Sequence, residues 1–437
     1  MGKTQFIFDA NKCTGCRACE IACKIENQLD VNTNWRRVVT YNKDQKPDQP
    51  YYHLSIACNH CEDAPCMKYC PALAIFRDNK TGAVIIDENK CIGCGYCSWV
   101  CPYDAPAFNF TKGVMEKCTF CNHRLEEGMT TACVSVCPTG ALFTEQYESV
   151  VENNITGFPE TGIKPKIKIK SIRKKNILPE FSQPYDESIL SLLSEKESEP
   201  KIDVKKEWVL AVFSFIFMFL TSMFTAAEFV SLDLLPMPFL ISGVMAMGIS
   251  VIHLGKKDRA FRAILNLKNS WLSREILFAS LFLGSAFIYL LIGQKSAAGL
   301  FISFIGFAAL FAIDSVYRVI PKKEKSIYKN NQLFISAVFF IGILISIEIS
   351  FFILVILKIL LWLNNSRLSD TTTSKTKILF FYSKIVFGFV MPIIIGLTGY
   401  REYFYYSVIS ILASELIERF EFYIYLEPIT PQSEIEN

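Results

Sequence analysis

The feature that most constrains this chain is a set of sixteen cysteines, all of which lie between Cys13 and Cys137. They form four groups of four, and the last two cysteines of every group are separated by three residues. The groups are Cys13, Cys16, Cys19 and Cys23; Cys58, Cys61, Cys66 and Cys70; Cys91, Cys94, Cys97 and Cys101; and Cys118, Cys121, Cys133 and Cys137. Proline follows the last three groups, whereas Lys24 follows the first. The N-terminal part of the chain is therefore a fourfold repeat of one ligand pattern.

This spacing predicts iron–sulfur clusters. In bacterial ferredoxins, three closely spaced cysteines wrap one cubane cluster, while the fourth cysteine of the run binds a neighbouring cluster. Structural zinc usually takes two separated cysteine pairs, and disulfide scaffolds are typical of small secreted proteins, so both alternatives fit less well. The four groups predict four [4Fe-4S] clusters in two coupled pairs.

The segments between the cysteines predict an α+β ferredoxin-like domain. The stretch AIFRDNKTGAVIIDENKC has the pattern of a strand, a turn at Asn79–Gly82 and a second strand that leads to Cys91. The stretch PTGALF after Cys137 is similar to PALAIF after Cys70. We expect half-units built from short helices and hairpins. Neither a dinucleotide-binding glycine motif nor a P-loop occurs in this region, so we expect it to conduct electrons rather than transform a substrate.

Composition divides the chain in two. The sequence is 51% hydrophobic with a formal net charge of +3, so no strong field favours nucleic acid and we expect no such partner. Almost every long apolar run lies after residue 207. The N-terminus lacks the apolar core of a signal peptide, and Phe6 stands where myristoylation requires Ser or Thr.

The apolar runs predict an all-α transmembrane helix bundle of about eight spans. Most runs have close to the roughly 20 residues that cross a bilayer. They cover residues 208–230, 234–254, 273–293, 298–320, 332–363, 378–398 and 403–425, of which 332–363 is long enough for one tilted helix or two short ones. We therefore predict a cluster domain over residues 1–150, a charged linker over 151–206, a membrane anchor over 207–426 and a tail over 427–437.

Charged loops bear on the number of spans and on their orientation. Lysines and arginines concentrate before the first span, between the second and third, and after the fourth. Counting residues 332–363 as two spans puts Arg367, Lys375 and Lys377 on the same side, which favours eight. The positive-inside rule then places this side, with the cluster domain, in the cytoplasm. These lysines could instead dock the cluster domain, which lies on the basic side in either case, and the alternative is that this side faces away from the cytoplasm.

The cysteine region resembles the four-cluster iron–sulfur subunit of dimethyl sulfoxide reductase and its molybdoenzyme relatives. The stretches YYHLSIACNHCEDAPCMKYCP, DENKCIGCGYCSWVCPYDAPAFN and TKGVMEKCTFC carry the resemblance, which covers residues 4 to 150. It implies that the first and fourth groups share two clusters and the second and third groups share two others. The implied ligand sets are Cys13, Cys16, Cys19 with Cys137; Cys118, Cys121, Cys133 with Cys23; Cys58, Cys61, Cys66 with Cys101; and Cys91, Cys94, Cys97 with Cys70.

The apolar region resembles the membrane anchor subunit of the same family. The stretches HLGKKDRAFRAILNLKNSWLSRE and SELIERFEFY carry this resemblance, which implies an eight-helix anchor that oxidises menaquinol. We hypothesise that His253 bonds a quinol oxygen, Glu275 accepts a proton and Arg259 orients the ring or the carboxylate. The alternative is structural, with Arg259 and Glu275 as an ion pair and His253 as a helix cap.

Ionisable residues deeper in the spans have local explanations. Glu415 and Arg419 lie four residues apart, which favours a salt bridge within one helix that Glu418 could join. Glu228 and Glu348 have no evident partner and are candidates for a proton path. His253 is the single histidine of the anchor region, so a haem held by two membrane histidines is not expected.

These features together predict an electron-transfer and membrane-anchor subunit of a molybdopterin oxidoreductase. It would oxidise menaquinol from the quinone pool of the bilayer and pass electrons to a separate molybdopterin-containing catalytic subunit. The expected location is the bacterial cytoplasmic membrane. The alternatives are a sulfite-oxidising complex that runs the same parts in reverse and reduces quinone, a redox-driven proton pump subunit, and a zinc-stapled interaction module.

Overall fold

The computed structural model describes residues 4–42, 50–146, 158–159, 161–172, 202, 204–230, 232–293, 297–322, 330–345, 356–358, 360, 375–397, 404–424, 426 and 428–431. The chain divides into two units. The first, here called the cysteine unit, comprises Met1–Lys201, Leu254–Asn269 and Pro428–Asn437. The second, the helical unit, comprises Ile202–His253 and Ser270–Glu427. The segment Leu254–Asn269 therefore belongs to the cysteine unit although helices of the other unit precede and follow it.

Nine short strands form four small sheets in the described part of the cysteine unit. They are β1 (Thr4–Asp9), β2 (Arg37–Tyr41), β3 (Tyr52–Ile56), β4 (Ile75–Arg77), β5 (Val84–Ile86), β6 (Ala107–Asn109), β7 (Val114–Glu116), β8 (Leu142–Gln146) and β9 (Ile167–Lys170). β1 is the centre of a three-stranded sheet, antiparallel to β8 and parallel to β9. Its run Phe6–Phe8 is fully buried and rich in residues that favour strands, which explains its central position.

The predicted strand–turn–strand after the second cysteine group is confirmed. β4 and β5 pair antiparallel, with Arg77 opposite Val84. The turn between them is held by Asp78, whose carboxylate accepts hydrogen bonds from the backbone and hydroxyl of Thr81 at 2.7 and 2.5 Å. Gly82 supplies the positive φ of 71° that the turn requires.

Five helices, most of them a single turn, carry cysteines or follow them directly. They are α1 (Ala18–Glu26), α2 (Pro65–Lys68), α3 (Tyr96–Trp99), α4 (Asn122–Glu126) and α5 (Ala132–Ser135). On α1, Cys19 and Cys23 lie four residues apart and are both buried, because positions i and i+4 share one face of a helix. The fold class predicted for this region, strands with short helices, agrees with the structure.

The described part of the helical unit consists mainly of helices joined by short turns. Its helices are α6 (Val204–Phe229), α7 (Pro236–Val251), α8 (Trp271–Ile292), α9 (Ala297–Arg318), α10 (Gln332–Ile345), α11 (Lys375–Ile385), α12 (Met391–Leu397) and α13 (Phe404–Ile424), with a π-helical turn Val386–Val390 between α11 and α12. Three stretches among the described residues are long and apolar enough to cross a membrane: Lys206–Phe229, Trp271–Ile292 and Ala297–Arg318. The question of one or two spans in 332–363 falls largely outside the described residues, as does Glu348.

Helix ends in this unit follow local chemistry. α8 begins where the hydroxyl of Ser270 accepts the backbone N–H of Ser273 at 3.3 Å, and it ends at Gly293, whose φ is 68°. α10 begins where the carboxylate of Asp314, on α9, accepts the backbone N–H groups of Leu333 and Phe334 at 3.3 and 3.1 Å. A buried carboxylate from a neighbouring helix thus satisfies N–H groups that the first turn of α10 cannot bond internally.

Candidate functional site

Each cysteine group is opened by the same backbone turn. The residue two positions after the first cysteine has a positive φ in all four groups, at Gly15 (70°), His60 (46°), Gly93 (70°) and Phe120 (64°). Glycine adopts this conformation freely, whereas His and Phe adopt it at a steric cost. The turn brings the second cysteine of each group back toward the first, as a loop around one cluster requires.

The same turn aims a backbone N–H at a cysteine sulfur. The N–H of His60 lies 3.5 Å from Sγ of Cys58, that of Gly93 3.4 Å from Cys91, and that of Phe120 3.4 Å from Cys118. Such bonds favour the thiolate over the thiol, and hydrogen bonds to cluster sulfurs are one of the factors that set reduction potentials. The repeated sequence spacing therefore becomes a repeated set of N–H donors.

The folded chain brings cysteines of different groups together. Charge interactions connect Cys13 with Cys16, Cys19 and Cys137, and Cys23 with Cys121 and Cys133. They also connect Cys61 with Cys58, Cys66 and Cys101, and Cys94 with Cys70 and Cys91. Most of these neighbours belong to the ligand sets that the family resemblance implies, although Cys23 also interacts with Cys19, and Cys118 with Cys58, across two sets. That each set binds a cluster stays a prediction.

Two of these sets line cavities. One cavity is lined by Cys23, Cys118, Cys121 and Cys133, and the other by Cys58, Cys61, Cys66 and Cys101. Near the second set, the ring N–H donors of Trp35 and His60 are buried without a hydrogen-bond partner among the described protein atoms. Four thiolates, accompanied by donors that have no protein acceptor, fit an iron–sulfur cluster whose sulfides accept hydrogen bonds.

Two buried cations lie among the cysteines, and the sequence analysis missed both. The guanidinium of Arg36 interacts with Cys133, Cys118, Cys19 and Cys23, and it donates a 3.0 Å hydrogen bond to the hydroxyl of Ser55. The ammonium of Lys117 donates to the carbonyls of Val84 and Cys118 and interacts with Cys58 and Cys66.

Both cations remain charged despite their burial. Burial opposes the charged form of Lys117, but the thiolates of Cys58, Cys66 and Cys118 favour it more strongly, so the pKa of Lys117 is raised. The pKa of Arg36 is raised for the same reason, against the effect of its burial. Lys117 directly precedes Cys118, as Lys90 precedes Cys91, but only the structure distinguishes the buried lysine from the exposed one.

His60 is neutral at this site. Burial, with Lys117, Lys166 and Arg77 nearby, holds the pKa of its imidazole well below the usual range. Its Nδ1 accepts the backbone N–H of Val84 at 3.0 Å, so the remaining proton lies on Nε2. His60 therefore presents one N–H donor in the wall of the cavity formed by the Cys58 set.

The segment Leu254–Asn269 is bonded to the chain around one cysteine set. The side-chain amide of Asn266 donates to the carbonyls of Lys68 and Cys70 at 3.0 and 2.9 Å. The guanidinium of Arg259 donates to the carbonyl of Glu88 at 2.7 Å and to that of Cys91 at 3.4 Å. The segment is thus hydrogen-bonded to both stretches of chain that contribute cysteines to the set Cys91, Cys94, Cys97 and Cys70.

Backbone contacts extend this attachment. The N–H of Gly255 bonds the carbonyl of Gly93 at 3.3 Å, and that of Lys256 bonds the carbonyl of Ile92 at 3.1 Å. The 3₁₀ helix Lys257–Ile264 follows directly. A Cβ on Gly93 would lie 2.9 Å from Gly255 Cα, so glycine is required for this close approach.

The three residues of the predicted quinol site are distributed over both units. His253 ends the part of the helical unit that contains α7, and its Nδ1 donates to the carbonyl of Ser250. Glu275 lies in the second turn of α8, is 7% exposed, and interacts with the charge of Arg419. Arg259 belongs to the cysteine unit, where it bonds backbone carbonyls and forms an ion pair with Asp258 at 3.6 Å. Their joint role in quinol binding stays a prediction.

The predicted salt bridge between Glu415 and Arg419 is wrong. Glu415 pairs instead with Lys358, which also lies 3.4 Å from Glu418. Arg419 donates to the hydroxyl of Ser214 at 2.7 Å and to the amide oxygen of Gln332 at 3.4 Å. The spacing of four residues was compatible with a local pair, but partners from other helices compete more favourably.

The prediction that Glu228 lacks a partner is also wrong. The hydroxyl of Tyr289, on α8, donates to the carboxylate of Glu228 at 3.0 Å. This contact joins the last turns of α6 and α8. Glu228 is therefore a structural partner within the helical unit.

Comparisons with known proteins match each region of the chain separately. The family described as "4Fe-4S dicluster domain" matches residues 49–146, and the family described as "DMSO reductase anchor subunit (DmsC)" matches residues 208–379. One component of the anaerobic dimethyl sulfoxide reductase of Haemophilus influenzae is 43% identical over 151 residues, which cover 32% of this chain and 73% of the relative. The corresponding component of the Escherichia coli enzyme is 44% identical over 145 residues, or 31% of this chain and 70% of the relative.

The chain belongs to the dimethyl sulfoxide reductase family. It is a fusion of the iron–sulfur subunit and the membrane anchor subunit of that family, so the predicted resemblance is confirmed. It is an electron-transfer and membrane-anchor subunit that carries [4Fe-4S] clusters, and its family implies a separate catalytic subunit as partner. One subunit of the tetrathionate reductase of Salmonella typhimurium is also similar, at 39% identity over 137 residues, or 31% of this chain and 54% of the relative.

Proposed function

We propose that this dimethyl sulfoxide reductase family subunit oxidises menaquinol and delivers the electrons, through four [4Fe-4S] clusters, to a molybdopterin-containing catalytic subunit. The sixteen cysteines hold the clusters in the four sets given above. The anchor has about eight spans in a bacterial cytoplasmic membrane, with the cluster domain on the cytoplasmic side. When bound, the clusters supply one-electron redox chemistry between quinol and the partner.

One observation carries this proposal most directly. The segment Leu254–Asn269, which joins α7 to α8 in the chain, is hydrogen-bonded to the stretches that carry Cys70 and Cys91. His253 immediately precedes this segment and Glu275 follows it by six residues. The same short piece of chain therefore connects the proposed quinol residues covalently with the surroundings of one cysteine set. We propose that Cys91, Cys94, Cys97 and Cys70 would hold the cluster that supplies the first one-electron acceptor for the quinol.

The proton chemistry follows from the residues themselves. Because the Nδ1 of His253 donates to the Ser250 carbonyl, Nε2 of the neutral ring is left as an acceptor for a quinol hydroxyl. The carboxylate of Glu275 is buried and accepts the proton that the hydroxyl loses. Arg259 fixes the segment between them through the carbonyls of Glu88 and Cys91, which is a positioning role.

The terminal acceptor is set by the catalytic partner. The relatives named above belong to a dimethyl sulfoxide reductase and to a tetrathionate reductase. We therefore propose an S-oxide or a sulfur oxyanion as the acceptor class. Reduction of such acceptors requires electrons to flow from quinol toward the partner.

Replacement of His253 tests the quinol site. In the purified complex, the rate at which menaquinol reduces the clusters is measured from the loss of their visible absorbance. Dithionite serves as an electron donor that bypasses the quinol site. His253→Ala should slow the quinol-driven reaction by roughly 10-fold, because it removes one hydrogen bond to the quinol hydroxyl, worth about 1 kcal/mol. Reduction by dithionite should stay unchanged.

His123→Ala is the matched control. His123 is a half-exposed histidine of the cysteine unit that bonds Glu26 at 2.7 Å, so its loss should leave quinol oxidation unaffected. Equal quinol-driven rates in His253→Ala and the wild type would refute the site. Metal analysis of the same preparation should give about sixteen iron atoms per chain, at four per cluster.

A further inference from the structure

One buried arginine lies beside two of the proposed ligand sets. Arg36 is 2% exposed and directly precedes β2. Cys19 and Cys23 share one buried face of α1, yet they belong to different sets. The guanidinium acts on both of these cysteines, and also on Cys118 and Cys133, which belong to the set of Cys23. A single positive charge therefore faces both sets that combine the first and fourth cysteine groups.

Aromatic packing holds the guanidinium in this place. Arg36 lines the cavity formed by the set of Cys118. The guanidinium carbon lies 4.7 Å from the centre of the ring of Phe6, which is on the central strand β1. Phe6 in turn contacts Phe120 edge to face at 4.5 Å, and Phe120 forms the left-handed turn of the fourth group. The cation is thus a packed part of the cavity wall.

The hydrogen bonds of Arg36 determine the direction in which Ser55 donates. Nη1 of Arg36 donates to the hydroxyl oxygen of Ser55 at 3.0 Å, and the same hydroxyl lies 3.4 Å from Sγ of Cys19. Arginine has no acceptor atom, so the Ser55 oxygen accepts from it. The hydroxyl hydrogen is then available to the sulfur of Cys19. Ser55 therefore connects Arg36 to the set formed by Cys13, Cys16, Cys19 and Cys137.

Strand pairing alone does not require a charge at this position. Ser55 is already paired with Val38 in the antiparallel ladder of β2 and β3. Burial of a cation is costly unless negative charges lie close to it. The thiolates of the two sets are such charges, and they act on Arg36. Because the attraction is mutual, a cation here favours the more negative state of each set.

We propose that Arg36 and Ser55 are positioning residues for electron transfer, which favour the reduced state of the two clusters that the first and fourth cysteine groups share. This inference rests on the proposed four clusters and their ligand sets. Reduction adds one electron and one negative charge, and no bond to either residue breaks. The guanidinium acts mainly on the set of Cys118, because three of its four cysteine neighbours belong to that set: Cys23, Cys118 and Cys133. The Ser55 hydroxyl acts on the set of Cys19.

Redox titration of the whole complex, followed by electron paramagnetic resonance, tests the charge. Cys16→Ser and Cys121→Ser assign the signals, because each alters a ligand of one set. Arg36→Met should lower both midpoint potentials, and the Cys118 set should show the larger shift. Its ratio of reduced to oxidised cluster at a fixed potential should fall roughly 100-fold, or about 120 mV, as for two unit charges about 6 Å apart at an effective dielectric constant of about 20. Arg36→Lys keeps the charge and should restore most of this shift.

Arg37→Met is the matched control. Arg37 is the next residue in the chain, but its side chain is 35% exposed and paired with Asp104 at 2.6 Å. Its loss should change neither of the two potentials. If Arg36→Met retained full iron and shifted neither potential by more than Arg37→Met, the inference would be overturned and the proposed function would stand. A wild type with far fewer than about sixteen iron atoms per chain would overturn both.

Ser55→Ala tests the hydrogen bond separately. It keeps Arg36 and removes one oxygen atom, so it decides the inference even if Arg36→Met binds less iron. The ratio of reduced to oxidised cluster should fall about fivefold in the Cys19 set, as for the loss of one hydrogen bond, and should stay unchanged in the Cys118 set. In deuterated water, electron–nuclear double resonance should detect the hydroxyl deuteron at the Cys19 set, and Ser55→Ala should lose it.

Ser135→Ala is the control for this second test. The hydroxyl of Ser135 lies two residues after Cys133, but it donates to the backbone carbonyl of Ala132 at 2.9 Å. Its removal should leave the deuteron signal and the potential of the Cys19 set as in the wild type. A deuteron signal and a potential that are the same in Ser55→Ala and the wild type would overturn the inference.

Discussion

Loss of the buried charge at Lys117 should lower a cluster potential measurably. The ammonium interacts with Cys58, Cys66 and Cys118, and it is 3% exposed, so bulk water screens it little. Two unit charges about 6 Å apart, at an effective dielectric constant of about 20, interact by about 3 kcal/mol, which sets the order of magnitude. For a one-electron couple this corresponds to about 120 mV. Because a reduced cluster is more negative, Lys117→Met should shift the midpoint potential downward by roughly this amount.

The assay is a redox titration of the complex followed by electron paramagnetic resonance. Lys90→Met is the matched control, because Lys90 occupies the same position before Cys91 but is exposed and paired with Asp87 at 2.8 Å. Its removal should shift potentials little, since water and salt screen an exposed charge. Lys117→Arg should restore the potential. If Lys117→Met retained full iron and shifted no potential by more than Lys90→Met, the buried cation would have no electrostatic role.

Three further substitutions probe the fold around the site. Gly93→Ala should lower stability by about 1–2 kcal/mol through its left-handed backbone alone, and the added methyl group would clash with the neighbouring backbone. We expect this turn to lose its cluster, which metal analysis would detect as about four fewer iron atoms per chain. Ser270→Ala removes the acceptor for the Ser273 N–H and should lower the free energy of unfolding by about 1 kcal/mol in chemical denaturation. Asn266→Leu removes two hydrogen bonds, one to the Cys70 carbonyl, and should slow menaquinol-driven but not dithionite-driven cluster reduction; equal slowing of both would contradict the proposed electron route.

Local sequence signals predicted the elements whose causes are local. The hairpin after Cys70 was predicted from two short apolar runs on either side of a turn at Asn79–Gly82, and β4 and β5 lie where those runs are. The ends of α8 and α9 lie within two residues of the apolar runs predicted at 273–293 and 298–320. Hydropathy determines these boundaries because each helix is apolar over almost its whole length.

Features that depend on distant parts of the chain were not predictable in this way. Nothing in the sequence near Glu415 indicates Lys358, which is 57 residues away. Spacing of i and i+4 along a helix indicates partners only on the same helix, so it pointed to Arg419. Likewise, the loop Leu254–Asn269 has the charge expected of a loop between spans, but its membership in the cysteine unit depends on contacts with residues about 170 to 200 positions earlier.

The four cysteine turns show how one backbone requirement is met by different residues. Glycine occupies the left-handed position where the backbone or another side chain lies close: Gly93 approaches Gly255, and Gly15 approaches the ring of His53. The other two turns use His60 and Phe120, whose rings contact each other edge to face at 5.1 Å.

The left-handed conformation costs each bulky residue about 1–2 kcal/mol. An aromatic pair returns about 0.5–1.5 kcal/mol beyond the burial of its surface, and burial of a large apolar side chain such as Phe120 contributes about 1.5–3 kcal/mol more. Phe120 is 3% exposed, so this balance is favourable at its turn, and at the other turn the ring of His60 accepts the N–H of Val84 at 3.0 Å. At Gly93 the balance is not favourable, because the space that a side chain would fill is already occupied by the loop that follows α7. The residue two positions after the first cysteine of each group therefore depends on what packs against the turn, and a glycine there indicates a close neighbour.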